Sequence, residues 1–220
     1  MNIKINCVTI QLLILIIFLF NAKLLASGAF DHGTATGKGK LQIDLTWNPF
    51  NYFENGQSYA VISYGIKDRI DLHVYYADHG NYKNGVDSYY YGILFQFLDS
   101  RHVDLATAIG KRKMNNLNYS HFFFPQLLYN YKIYDGYTIG GSFVRIQKDT
   151  EKLMKNMSED WFAIDIALFI PLKRYFLKYN KIDDVKLGIG VFRTGIKGLL
   201  QKTTYMPTYS LDIKFKINKN

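Results

Sequence analysis

Cysteine, tryptophan, proline and charge are all scarce in this chain. Of 220 residues, one is Cys, two are Trp, four are Pro and 20% are charged. The lone thiol, Cys7, falls inside a leader-like segment, so the remainder of the chain offers no disulfide and no thiol chemistry. No uncharged apolar run reaches the roughly 20 residues a helix needs to cross a bilayer, and mean hydropathy lies just below zero. Both argue against a polytopic helical membrane protein. With 48% apolar residues the chain is not disordered, and it has no collagen period. No useful window carries a 3.6-residue period. No Gly-rich phosphate loop is present, since Gly39-Lys40 and Gly110-Lys111-Arg112 lack the surrounding pattern. Five His without paired spacing give no metal site, and no cofactor is expected. Lys111-Arg112-Lys113 is the only basic run of three, too short for nucleic-acid binding.

What the chain has in excess is aromatic residues, 18 Tyr and 16 Phe, with a formal charge of +9. Residues 1–26 read as a secretory signal: Lys4, an apolar middle from Val8 to Phe20, and a small-residue exit at Ala26-Ser27-Gly28. Removing Lys4 and Lys23 with it takes the charge from +9 to +7. Beyond residue 26 the recurring device is period-two alternation, the strand signal. Leu41, Ile43, Leu45 and Trp47 alternate with Gln42, Asp44 and Thr46. Phe162, Ile164, Ile166, Leu168 and Ile170 alternate with Ala163, Asp165 and Ala167. Ten strands are expected, near 39–47, 58–66, 70–78, 88–98, 102–112, 120–133, 137–147, 160–172, 184–195 and 205–217. Residues 27–220 thus form one domain without linker or repeat.

The connections alternate between tight turns (67–69, 99–101, 134–136) and longer polar loops (48–57, 79–87, 113–119, 148–159, 196–204). The exception is 173–183. One face of each strand is apolar, and the other carries Asp44, Asp71, Asp104, Asp165, Asp212 and Lys214. Aromatics gather near strand ends, with Trp47, Tyr76, Tyr89, Tyr131, Tyr137 and Trp161 as girdle candidates. An all-β, single antiparallel up-and-down transmembrane β-barrel of about ten strands (8–12) fits these features. A soluble exported β-sandwich or lipocalin-like barrel, binding a small apolar ligand, also alternates.

The region from Gly39 to Ile217 resembles bacterial outer-membrane β-barrel proteins as a broad class. Its sharpest point is Tyr209-Ser-Leu211-Asp-Ile213-Lys-Phe215, which looks like the C-terminal assembly signal of that class. The resemblance implies an outer-membrane location, outer-membrane lipids as neighbours and recognition of the last strand by the barrel-assembly machinery.

An inward polar network is expected from Asp44, Asp71, His73, Gln96, Asp104, Gln126, Lys132, Asp165, Lys186, Asp212 and Lys214. Asp71, His73, Asp104, Lys132, Lys186, Lys214 and Lys216 should sit toward the periplasmic half, with Asp44, Gln96, Gln126, Asp165 and Asp212 nearer the middle. Mixed signs in a narrow lumen satisfy one another. Alternatively, they line a narrow path for small solutes. An enzyme reading needs a His beside a nucleophile or carboxylate. Asp71-Leu72-His73 resembles the Asp–His pair of omptin proteases, Ser120-His121 a lipid-cleaving pair, and Asp78-His79 lies at a loop edge. None has a supporting motif, so no catalytic residue is assigned. The main reading is a non-enzymatic barrel, a narrow channel or a structural or surface element. The alternative is a barrel enzyme acting on lipid A, phospholipid or peptide.

Overall fold

The computed structural model describes residues 32–48, 57–78, 87–114, 119–146, 161–173, 180–194 and 204–217. The expected signal segment, 1–26, lies outside the described residues. Ten strands follow in order: β1 (Lys40–Asn48), β2 (Gln57–Lys67), β3 (Ile70–Asp78), β4 (Asp87–Asp99), β5 (Val103–Met114), β6 (Tyr119–Tyr134), β7 (Tyr137–Ile146), β8 (Trp161–Pro171), β9 (Ile182–Thr194) and β10 (Thr204–Lys216). Each pairs antiparallel with its sequence neighbours, and β1 pairs with β10, so the sheet closes into an up-and-down barrel. Closure removes the sheet edges and leaves no open row of backbone donors.

Three connections at one end span only two or three residues between strands, at 68–69, 100–102 and 135–136. Asp135-Gly136 takes positive φ at both residues (50° and 82°), the primed turn that matches strand twist. The β8–β9 connection at this end is longer, as the sequence spacing indicated. Strands β1 and β10 also start and finish here.

Alternation sorts side chains onto two faces. Outside, cross-strand neighbours continue one apolar row into the next. Ile213, Ile43, Ile62, Val74 and Tyr91 are successive partners on β10, β1, β2, β3 and β4. Phe95, Thr107, Leu127, Phe143 and Ile164 are successive partners on β4 to β8. Leu72, Ile93 and Ile166 are among the many large apolar side chains left exposed. Inside, the same registers stack buried polar groups with a smaller apolar set, Val61, Leu94, Ala106, Ala108 and Leu128.

The girdle candidates divide by position. Trp47 and Tyr76 are exposed on the outer wall near the long-loop end, and Tyr89 is half-buried there. Tyr131 is exposed and Tyr137 half-buried near the short-turn end. The Trp161 side chain lies outside the described residues. Not every strand-end ring faces out: Tyr75 and Tyr90 turn inward and stack at 5.3 Å, with Tyr59 edge-on to Tyr75 at 6.4 Å. In a strand, adjacent tyrosines must take opposite faces.

Candidate functional site

The segment before β1, residues 32–39, lies inside the barrel. We call it the strap. Reversal from strap into β1 occurs over Gly37-Lys38-Gly39, where both glycines have positive φ (89° and 70°). A left-handed backbone favours glycine there. Lys38 bridges to Gly65, and Gly39 N donates to Gly65 O at 2.9 Å. A Cβ on Gly65 would overlap the Gly37 carbonyl, so the close approach depends on the absence of a side chain.

From that reversal the strap passes one wall after another. Thr36 N donates to Asp71 Oδ2 at 2.7 Å on β3. Ala35 N donates to Gln96 Oε1 at 2.8 Å on β4. Thr34 Oγ1 donates to Asp104 Oδ2 at 2.7 Å on β5, and accepts from Asn130 Nδ2 at 2.6 Å on β6. The His32 ring meets Phe169 of β8 edge-on at 5.5 Å. Gln42 Nε2 of β1 lies 2.9 Å from His32 Nε2, and Asp212 of β10 is 4.0 Å from the same nitrogen. The segment therefore winds around the inner wall. Its anchors Gly65, Asp71, Gln96 and Asp104 lie within a few residues of the short turns, so the strap crosses the short-turn mouth.

Two physical devices hold it. Backbone amides removed from water need acceptors, and Asp71 and Gln96 supply them. Ala35 packs into the cluster of Leu94, Ala106, Ala108 and Leu128, whose small side chains leave room for a second layer of chain. Two cavities bordering the strap hold about 30 and 10 Å³, enough for isolated waters.

Each residue of the expected polar network faces the lumen, but they do not act as one group. Asp71, Gln96 and Asp104 bind the strap, which places Gln96 with the short-turn set rather than in the middle. Lys132 pairs with Asp104 at 2.7 Å and with Asp99 at 3.4 Å, neutralising a carboxylate that is fully buried. His73 Nδ1 is 3.0 Å from Ser63 Oγ, and its ring meets Tyr90 at 5.7 Å. Asp165 is bound by Ser142, whose amide donates to Oδ1 at 2.8 Å and whose hydroxyl donates to Oδ2. That bond falls at residues 141–142, where the β7–β8 ladder is interrupted between Gly140 and Phe143. Gln126 is buried on β6. Asp44, Asp212, Lys186 and Lys214 gather around the β9–β10–β1 wall with Gln42 and His32.

The sequence reading missed the strap. Its signal is weak: Gly33-Thr34-Ala35-Thr36-Gly37 has no alternation, only a run of small residues. Of the enzyme candidates, Asp71 and His73 face the same lumen but serve different partners. The side chains of Asp78, His79, Ser120 and His121 lie outside the described residues.

No protein family matches the chain, and neither does any curated protein. Among solved structures, the N-terminal β-barrel domain of Pseudomonas aeruginosa OprF is similar at 9% identity and a TM-score of 0.34. The match covers 81% of this chain and 99% of that one. At that level the likeness adds nothing to what the strand pairing already establishes.

Proposed function

We propose that this is an integral outer-membrane β-barrel that is non-enzymatic and structural or surface-exposing, with its periplasmic mouth closed by its own strap. The observation that carries this reading is the inversion of polarity. Ile62, Leu72, Ile93, Leu127, Ile164 and Ile166 face outward and exposed, whereas Asp71, Asp104, Asp165 and Asp212 face inward and buried. Water outside would penalise so continuous an apolar wall. A hydrocarbon surround suits it, and facing inward keeps the charges out of that surround. Along β4, Tyr89 to Phe97 spans about 20 Å of barrel height, given about 3.3 Å per residue and a tilt near 40°. This is comparable to the apolar band of such barrels.

The soluble ligand-binding alternative needs the reverse arrangement, an apolar cavity inside. The enzyme alternative is weakened because Asp71 accepts a strap amide and His73 sits against Ser63 and Tyr90. β10 turns Leu211, Ile213 and Phe215 to the outer wall, which supports its reading as the strand offered to the assembly machinery. The strap supports closure over an open channel.

Tryptophan quenching tests the membrane placement. In a Trp161→Phe variant refolded into vesicles, Trp47 remains the only tryptophan. Lipids brominated near the headgroup should quench it more strongly than lipids brominated at the chain end. Absence of quenching by either would overturn the reading.

A further inference from the structure

The β1–β10 seam contains an arrangement that ordinary sheet pairing avoids. Asp44 and Asp212 are direct cross-strand partners and both point into the lumen. Like charges placed opposite each other destabilise a strand pair. Both are buried, Asp44 at 4% exposure and Asp212 at 5%. Neither Asp212 oxygen has a hydrogen-bond partner among the described residues. The strap brings His32 to the same place, so that one ligand atom from each of His32, Asp44 and Asp212 lies within 4.8 Å of the others.

Gln42 Nε2 lies 2.9 Å from His32 Nε2, and 2.9 and 3.1 Å from the two Asp44 oxygens. Lys186 and Lys214 line the adjoining cavity of about 30 Å³ together with His32, Gln42 and Asp212.

We propose that His32, Asp44 and Asp212 form a binding site for a divalent transition-metal ion that ties the strap to the barrel seam. Two carboxylates balance the charge of the ion. One imidazole among them favours zinc-like ions over calcium or magnesium, which prefer oxygen alone. Tetrahedral bonds of about 2.0–2.1 Å put ligand atoms roughly 3.3 Å apart. The three groups therefore close by small side-chain rotations. Gln42 turns its amide away or presents Oε1, and the adjoining cavity supplies water for an open position. Lys186 and Lys214 compete with the ion for the same carboxylates. The site depends on the strap and the seam, and does not depend on what surrounds the outer wall.

The probe is Zn²⁺, titrated by calorimetry into the refolded, chelator-stripped barrel, with Co²⁺ absorption as a second readout. One ion per chain is expected, with His32→Ala and Asp212→Asn each weakening binding at least tenfold. Lys214→Met should tighten binding several-fold, because it removes a competing cation. His32 lies outside every strand, and the Asn variant keeps the shape of Asp212, so both should fold; retained heat-modifiability on a gel verifies this. Co²⁺ should give visible bands in the parent and lose them in His32→Ala. Absence of stoichiometric Zn²⁺ binding would overturn the proposal. Binding that is equal in the parent, His32→Ala and Asp212→Asn would overturn it as well, since the ion would then sit elsewhere.

Discussion

The lumen holds its strap by two contrasting walls. On β3 to β6, side chains bond the strap directly: Asp71 Oδ2 and Gln96 Oε1 take the amides of Thr36 and Ala35, and Asp104 is shared by Thr34 and Lys132. Ala35 fills the space above Ala106 and Ala108. On β10 and β1, two buried carboxylates face each other, Asp44 opposite Asp212, and neither Asp212 oxygen has a hydrogen-bond partner among the described residues. The first wall is a hydrogen-bonded interface between strap and barrel. The second is a polar pocket where Asp184 and Asp212 meet Lys186 and Lys214. Buried aspartates of similar exposure therefore do opposite work, and burial alone does not reveal which. What decides is which groups face them across the lumen.

Single substitutions sharpen that contrast, from the largest effect to the smallest. Asp104→Ala strips the partner from Thr34 and Lys132 and should cost about 2–3 kcal/mol, since Lys132 keeps access to water. A lowered urea midpoint of the heat-modifiable fold would report it. Overfilling the same wall with Ala35→Leu should cost about 1–3 kcal/mol. It should also make the strap more sensitive to added protease. Asp71→Ala leaves the Thr36 amide without its acceptor, for about 1–2 kcal/mol. In contrast, Asp212→Asn should change stability by less than about 0.5 kcal/mol in metal-free buffer, or raise it, because it relieves the charge opposite Asp44. If Asp212→Asn proved as costly as Asp71→Ala, the two walls would not differ as described. On the outside, Lys113→Ala removes only a distant approach to the Tyr89 ring at 5.9 Å, and should fall within about 0.5 kcal/mol.

The barrel itself was legible in the sequence because each strand carries its own period. Every expected strand is present, shifted by two residues at most at either end. The inward charges were legible for the same reason: Asp44, Asp104 and Asp165 occupy the alternate positions of clean strands. Tyr75 and Tyr90 were harder, since composition and strand-end clustering point outward while strict alternation turns them in. The strap left no comparable trace. Apart from the single Lys38–Gly65 bridge it pairs with no strand, and its hydrogen-bond partners on β3 to β6 lie 35 to 96 residues away along the chain. The approach of His32 to Asp212 joins residues 32 and 212 through barrel closure, which no local spacing encodes.

Closure of the mouth by the strap is the central claim, and single-channel recording in planar bilayers tests it most directly. The refolded barrel beginning at residue 27 should be silent at moderate voltage. The same barrel shortened to begin at Gly39 should show discrete, reproducible openings, because the anchors on β3 to β6 would face an unfilled lumen. Equal conductance from both forms would contradict the account.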